Sequence, residues 1–489
     1  MKILLIQPPW YGFQNISSSR VYLGLAYIGA VLEKNGDDIL ILNGETFFKK
    51  ITGGEEKITI DEESYRKNLN PDHYIFSDIV KTAIEFKPDL IGLSLMTPNS
   101  FSGYILARKL KEAFPDTLLI AGGVHPTLLP EEPIVKGGFN IVVRGEGEET
   151  IIELVNALKQ KKSLDNISGI TYKKDKKIIK NPARPFIKNL DALPFPAFHL
   201  VHELKKQLSS SRGIISSRGC PFECNYCASK LIWTRAVRFR SATNVVAEIM
   251  DRHKKLGITN FSFHDDTFTL KKKYVEEFCA LVLNLNFRIS WHCDTRGDTL
   301  DYPLLKIMKE AGCQHIYLGL ESGSPKIQKM IKKNLSTDKV KNAVKSARRA
   351  GIETTLYFMA GFPAESEEDI FLSLKAMREI NPDHTIWSIL TPYPGTDIWN
   401  LAEAKGLVSR DTDWANYFHH YNQGNIFGSV SKDTWERLIK KIFAEQEKQN
   451  RKFTLIKFKK RIAVLKDQIR LAVREPKRAL SYIKRRIKI

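Results

Sequence analysis

Three cysteines, Cys220, Cys224 and Cys227, stand in the run Arg218-Gly219-Cys220-Pro221-Phe222-Glu223-Cys224-Asn225-Tyr226-Cys227. The spacing is C-x3-C-x2-C, with an aromatic residue directly before the third cysteine. A structural zinc takes four ligands, so three thiolates leave its tetrahedral shell incomplete. No fourth ligand follows at finger-like spacing. Three thiolates do suffice to hold three irons of a [4Fe–4S] cube and leave the fourth iron open. A zinc knuckle or chance spacing is the competing reading. The other cysteines, Cys279, Cys293 and Cys313, lie singly in apolar or strand-like runs and read as buried, inert thiols. With no disulfide framework, the expected compartment is a reducing cytoplasm.

The elements around this loop repeat as strand then helix. Strands are expected at Gly213–Ser217, Asn260–His264, Arg288–Cys293, His315–Leu320, Glu353–Met359 and His384–Leu390. Six such units within residues 206–400 fall short of the roughly 250 residues of a closed eightfold barrel and predict a partial one. Residues 1–155 alternate in the same way, with strands at Lys2–Gln7, Asp38–Leu42, Leu90–Leu95, Thr117–Ala121 and Ile141–Val143. Helical patterns such as Gly24–Lys34 and Gly103–Phe114 lie between them, which predicts a parallel sheet covered on both faces. Its ligand would bind at the carboxyl ends of the strands. Those ends carry Ser94-Leu95-Met96-Thr97, Gly122-Gly123-Val124-His125 and Arg144-Gly145-Glu146-Gly147-Glu148. Residues 156–205 read as a connector, a lysine-rich hairpin within Ser163–Lys180 followed by Pro182, Pro185, Pro194 and Pro196. At 489 residues, with 43% apolar and 27% charged, the chain has material for two or three cores. The apolar run at its start ends at Pro8 and Pro9, too short for a signal peptide or membrane span.

The cysteine loop resembles the signature of the radical S-adenosylmethionine (SAM) superfamily, whose open iron binds the amino and carboxylate groups of SAM. The three loop clusters of the first domain, placed before it, resemble the cobalamin-binding domain of one branch of that superfamily. The resemblance covers residues 1 to about 400. It implies an α/β protein: a doubly wound parallel-sheet cobalamin-binding domain, a partial (β/α)6 barrel and a C-terminal helical extension. The implied cofactors are a [4Fe–4S] cluster on Cys220, Cys224 and Cys227, SAM and cobalamin. By the same resemblance Asp265 and Asp266 would meet the SAM ammonium group and Arg296 a carboxylate or ribose. Glu321 and Ser322 would lie near the ribose and methionine portion, and Tyr226 would line the adenine pocket. Ser94, Thr97, Gly122, Gly123, His125, Gly145 and Glu146 would surround cobalamin, with His125 shaping its turn. A nucleotide-binding sheet without cobalamin is the alternative for this domain. Many cobalamin domains place a cobalt-ligating histidine in Asp-x-His-x-x-Gly. The matching run here, Ile41-Leu42-Asn43-Gly44-Glu45-Thr46, has none. A cobalamin without a lower histidine ligand is therefore expected.

The implied activity is methylation of an unactivated carbon, of a small-molecule or lipid-like substrate, started by a 5′-deoxyadenosyl radical. A non-methylating cyclase of the same branch is the nearest alternative, and a non-catalytic cofactor-binding protein is one of another class. The tRNA methylthiolases add a second three-cysteine cluster in their first domain, whereas residues 1–219 hold no cysteine. An electron donor of the flavodoxin or ferredoxin type is expected as a partner.

Residues 401–450 read as an aromatic-rich helical cap, with Trp414, Tyr417, Phe418 and Tyr421. Residues 451–489 differ from the rest, with 15 Lys and Arg against Asp467 and Glu475. That segment carries +13 of the chain's +21. Leu455, Phe458, Ile462, Leu465, Ile469 and Ala472 form one helical stripe, interrupted at Pro476 and resumed by Leu480, Ile483 and Ile487. A basic amphipathic helix suits an anionic membrane surface. This reading places the protein at the inner face of the membrane. A helix packed on the barrel and a nucleic-acid contact are the rival readings, the latter the weakest.

Overall fold

The computed structural model describes residues 1–14, 21–48, 68–409, 411, 412, 414, 417 and 425–474, with side chains described to Thr454. Phe418, Tyr421 and the stripe beyond Pro476 lie outside the described residues. The first five strands are β1 (Lys2–Gln7), β2 (Asp38–Asn43), β3 (Leu90–Ser94), β4 (Leu118–Gly122) and β5 (Ile141–Val143). They run parallel in the order 2-1-3-4-5, so strand order reverses between β1 and β3. The near-continuous apolar sequence of β1 reflects burial on both faces. Leu4 and Ile6 pack toward helices Tyr74–Phe86 and Ser100–Ala113. Ile3 and Leu5 pack toward helices Leu23–Lys34 and Gly147–Lys159.

The lysine-rich hairpin forms as β6 (Ile170–Lys174) and β7 (Lys177–Lys180). It does not stand apart as a connector. β6 pairs antiparallel with β5, so the first sheet has seven strands and extends beyond residue 155. Arg144 explains the docking, since its guanidinium donates to the carbonyls of Ile170 and Asn181.

The barrel strands are β8 (Gly213–Ile214), β11 (Asn260–Phe263), β12 (Ser290–Thr295), β13 (Cys313–Glu321), β14 (Glu353–Ala360) and β15 (His384–Ile389). All six are parallel, in the order 15-14-13-12-11-8. The strand expected over Gly213–Ser217 is divided. After Ile214 the chain leaves the sheet, and β9 (Ser217–Arg218) pairs antiparallel with β10 (Arg238–Phe239). The outward faces of the barrel strands join the helices in one core around Phe263, Phe278, Trp291, Phe358 and Trp387.

The helix Lys432–Arg474 crosses the expected boundary between cap and tail. Its first half buries Trp435, Leu438, Ile439 and Ile442 on the barrel. Gln446 and Asn450 then serve the free edge of β15. Trp387 N donates to Gln446 Oε1 at 2.6 Å and Thr385 N to Asn450 Oδ1 at 2.8 Å, while Asn450 Nδ2 returns a bond to Thr385 O at 3.1 Å. Edge strands leave such groups unpaired unless something covers them. Here helix side chains take the place of a seventh strand.

Candidate cofactor sites

The cysteine loop follows β9 at the barrel mouth. Gly219 has φ +105°, and a Cβ there would lie 2.1 Å from the carbonyl oxygen of Ala236. Only glycine fits this approach. All three cysteines of the loop are free and half-buried. Asn225 pins the loop to the barrel, its backbone N donating to Ile331 O at 3.1 Å and its Nδ2 to Met330 O at 2.8 Å. Burial pushes the Cys227 thiol up to about 11, with Asp266 and the other two thiols adding to the shift. Bound iron would supply the positive charge that favours its thiolate. Among the described residues no three Cys, His, Asp or Glu side chains gather about one metal-ion position. Three thiols spread along one loop fit separate irons of a cluster rather than a single-ion shell.

Of the residues expected around SAM, Tyr226 and Glu321 share a cavity of about 770 Å³ with Tyr357, Met359, Ile386 and Ser388. Asp266 accepts from Ser229 Oγ at 2.9 Å, beside the cysteine loop. The others are already engaged. Asp265 is 2% exposed and accepts from Ser216 N and Oγ and from Ser217 Oγ, a strut that holds the chain between β8 and β9. Arg296 is locked to Asp298 by two 3.0 Å bonds and stacks 3.7 Å from the Phe222 ring of the cysteine loop. Ser322 is fully buried against Ser373 and Ser324 N. These three shape the site's walls and do not line the cavity. One residue absent from the sequence expectation is Lys333, whose Nζ lies 2.6 Å from Glu321 Oε1.

The turn after β14 supports the same cavity, since Phe362 packs edge-on against Tyr226 with ring centroids 6.3 Å apart. Glu365 holds that turn by accepting from Gly361 N at 2.6 Å and Phe362 N at 3.2 Å. Burial pushes its carboxyl from an ordinary 4.5 up to about 8, against the pull of those two donors. The folded chain therefore binds this proton more tightly than the unfolded chain. Its stabilising share is complete below about pH 4.5 and is lost as pH rises through about 8. Thermal melts of the wild type should decline over that window. Glu365→Gln, which mimics the neutral acid, should flatten the decline by a few kcal/mol. Identical pH profiles for the two proteins would contradict this assignment.

A second cavity, open to solvent, lies against the first sheet. It runs between helices Leu23–Lys34 and Gly147–Lys159 and is mostly apolar, with Ile3, Leu5, Leu25 and Ile120 in its walls. Ser94, Gly122, Gly123, Gly145 and Glu146 line it as expected. A Cβ on Gly122 would meet nothing nearer than 3.9 Å, so the missing side chain leaves free space for a bulky group. Gly123, at φ +103°, packs where a Cβ would strike Leu95 O at 2.6 Å. Thr97 and His125 do not line the cavity. Both are buried behind the turn, where His125 bonds Tyr104 Oη at 3.1 Å and Thr97 Oγ1 at 3.3 Å. His125 thus shapes the turn and does not reach the cavity. No histidine lines the cavity among the described residues. Glu45, which stands in the run where the cobalt-ligating histidine is missing, accepts instead from the backbone of Trp10, Tyr11 and Gly12. The apolar slot and glycine floor fit cobalamin.

Residues of the barrel domain, Ile215, Arg218, Ile232 and Trp233, complete this cavity. Arg218 is 7% exposed and bonds Glu146 Oε1 at 2.6 Å and Glu148 Oε1 at 2.5 Å. Arg238 takes the other oxygen of Glu146 at 2.7 Å. The Gly-Glu-Gly-Glu run of the first domain is therefore clamped to the residue two before Cys220. Local sequence pattern gives no signal for such a pairing between domains.

Comparison with known proteins agrees with both halves. Residues 21–155 match the family model of the B12 binding domain and residues 214–376 that of the radical SAM superfamily. An uncharacterized methyltransferase of Pyrococcus horikoshii is 33% identical over 422 residues, covering 85% of this chain and 86% of that protein. An anaerobic magnesium-protoporphyrin IX monomethyl ester cyclase of Synechocystis is 27% identical over 434 residues, 86% of this chain and 81% of that one. Among solved structures, the cobalamin-dependent SAM radical enzyme OxsB with aqua-cobalamin and SAM bound superposes with a TM-score of 0.69 at 16% identity, covering 92% of this chain and 71% of that one.

Proposed function

This chain belongs to the radical SAM enzymes that carry a B12-binding domain, and from that premise we propose that it methylates an unactivated carbon of a small-molecule or lipid-like substrate. One observation carries the reading: the cavity of the first domain is completed by Arg218, Ile232 and Trp233, beside the cysteine loop. When bound, the cluster and SAM supply a radical that removes a hydrogen atom, and cobalamin supplies the methyl group. The protein's part is to hold these groups together and dry. Cys220, Cys224 and Cys227 would ligate the cluster. Tyr226 and Glu321 would line the SAM pocket, and Ser94, Gly122, Gly123 and Gly145 would admit cobalamin. The buried Arg218–Glu146–Glu148 clamp ties the wall of the first-domain cavity to the start of the cysteine loop.

The test is anaerobic reconstitution with iron, sulfide and cobalamin, followed by SAM and reductant. Formation of 5′-deoxyadenosine together with transfer of labelled methyl from SAM to cobalamin is the expected result. Deoxyadenosine without methyl transfer would favour the cyclase reading, which the cyclase relative keeps in view. The reductant in the cell would be a flavodoxin- or ferredoxin-type protein.

The basic helix suggests where this happens. No helix among the described residues is long and apolar enough to cross a membrane. The backbone of Lys432–Arg474 stays helical through the basic stripe, beyond the Phe453 contact with His384 at the start of β15. We place it on an anionic membrane surface at the cytoplasmic face, each basic residue near the lipid adding on the order of 1 kcal/mol. The full chain should co-sediment with vesicles rich in phosphatidylglycerol at least tenfold better than with phosphatidylcholine, and salt should abolish the difference. Equal partitioning would instead assign the segment to packing on the protein.

A further inference from the structure

Lys333 sits in a segment of unusual backbone conformation. Its neighbours Lys332 and Asn334 both have positive φ, 56° and 51°, and Glu321 has φ 71° at a register shift between β13 and β14. Non-glycine residues rarely adopt this region, and clusters of them mark functional sites. Three around one ion pair set this pair apart from the surface ion pairs of the chain. Gly319 makes the room, since a Cβ there would lie 2.5 Å from both Lys333 Nζ and Glu321 Oε1. Both residues are buried, at 8% exposure each, and their charged atoms meet at 2.6 Å. Lys333 Nζ also reaches Tyr226 Oη at 3.5 Å. The segment is tied to the cysteine loop from two sides. Asn225 grips Met330 and Ile331, and Arg296, stacked on Phe222, donates to Lys333 O at 3.2 Å.

We propose that Lys333 is a positioning residue of the SAM pocket: its ammonium fixes the Glu321 carboxylate in the pocket wall and ties it to the cluster loop. The inference rests on the assignment of that pocket to SAM. Glu321 lines the cavity and Lys333 does not, so Lys333 acts through the carboxylate. Oε1 is held by the ammonium, and no bond to Oε2 occurs among the described residues. Oε2 is the acceptor that remains for a hydroxyl or ammonium donor of the cofactor. A charge-assisted bond is stronger than a neutral one, and in a buried site it also fixes direction.

Equilibrium binding of SAM to the anaerobically reconstituted holoenzyme tests this. K333M should weaken binding roughly ten- to a hundredfold, and K333R should restore most of it. E321Q should lose a similar factor. The double variant should bind no worse than E321Q alone, because both act through one carboxylate. In turnover, KM for SAM should rise more than kcat falls. Wild-type affinity in K333M, or losses that multiply in the double variant, would overturn the proposal. Iron content and cobalamin retention equal to wild type separate a binding loss from misfolding. A K333M protein that sheds iron would reassign Lys333 to support of the cysteine loop. If the wild type itself bound no SAM, the pocket's assignment would fall, and this inference with it.

Discussion

Alanine at any one of Cys220, Cys224 or Cys227 is expected to abolish 5′-deoxyadenosine formation, by roughly a thousandfold or more, while the protein stays folded. The large effect follows because the cofactors carry the difficult step and no protein nucleophile or acid–base pair stands in for them. Two thiolates cannot hold what three hold. The small structural effect follows from position. The three cysteines are half-buried in a loop anchored by Asn225 and Gly219, while Cys227 Sγ accepts from Ser229 N at a long 3.4 Å. Losing a half-buried sulfur should cost on the order of 1 kcal/mol, less than unfolding requires. Iron and sulfide analysis, deoxyadenosine chromatography and a thermal melt on each variant check all three parts. A variant that keeps a full complement of iron would show that another residue ligates the cluster.

Arg218→Met is expected to have the opposite profile, with a large loss of stability and loss of cobalamin from the isolated protein. It leaves Glu148 buried without its cation and strips Glu146 of one of two. Removing one partner of a buried pair costs about 3–5 kcal/mol, because the remaining charge is desolvated and uncompensated. The buried arginine is correspondingly held with its pKa raised by the two carboxylates, although burial pulls the other way. Adding Glu146→Gln and Glu148→Gln to Arg218→Met should recover part of the loss, since no buried charge is then orphaned. Urea unfolding and cobalamin retention on gel filtration are the measurements. If the single variant were as stable as wild type, the clamp would be ornamental and the two domains would dock by other contacts.

The strands were legible because each is short, apolar and bounded by turn residues. β1, β5 and β11–β15 lie within a few residues of the sequence expectation. The Gly213–Ser217 strand is cut short because its last residues bond the Asp265 side chain and the β10 strand, not the barrel sheet. The sequence pattern anticipated that the three cysteines share one loop and that Tyr226 and Glu321 face one cavity. Asp265, Arg296 and Ser322 stand at the expected strand ends but bond to protein groups. Each is polar at a strand end, and only the fold reveals that its partner is protein. Lys333 was missed for the converse reason. A lysine among Lys329, Lys332 and Lys333 reads as solvated charge until the backbone turns it inward.

The covering of β15 by Gln446 and Asn450 also sets a timetable. β15 is complete at Ile389, but its cover arrives about sixty residues later, several seconds of synthesis at roughly 5–20 residues per second. During that interval the nascent barrel displays an open strand beside a finished first domain. The second half of the chain is therefore the part that a chaperone must shield, and slowing translation across this stretch would lengthen its exposure to aggregation.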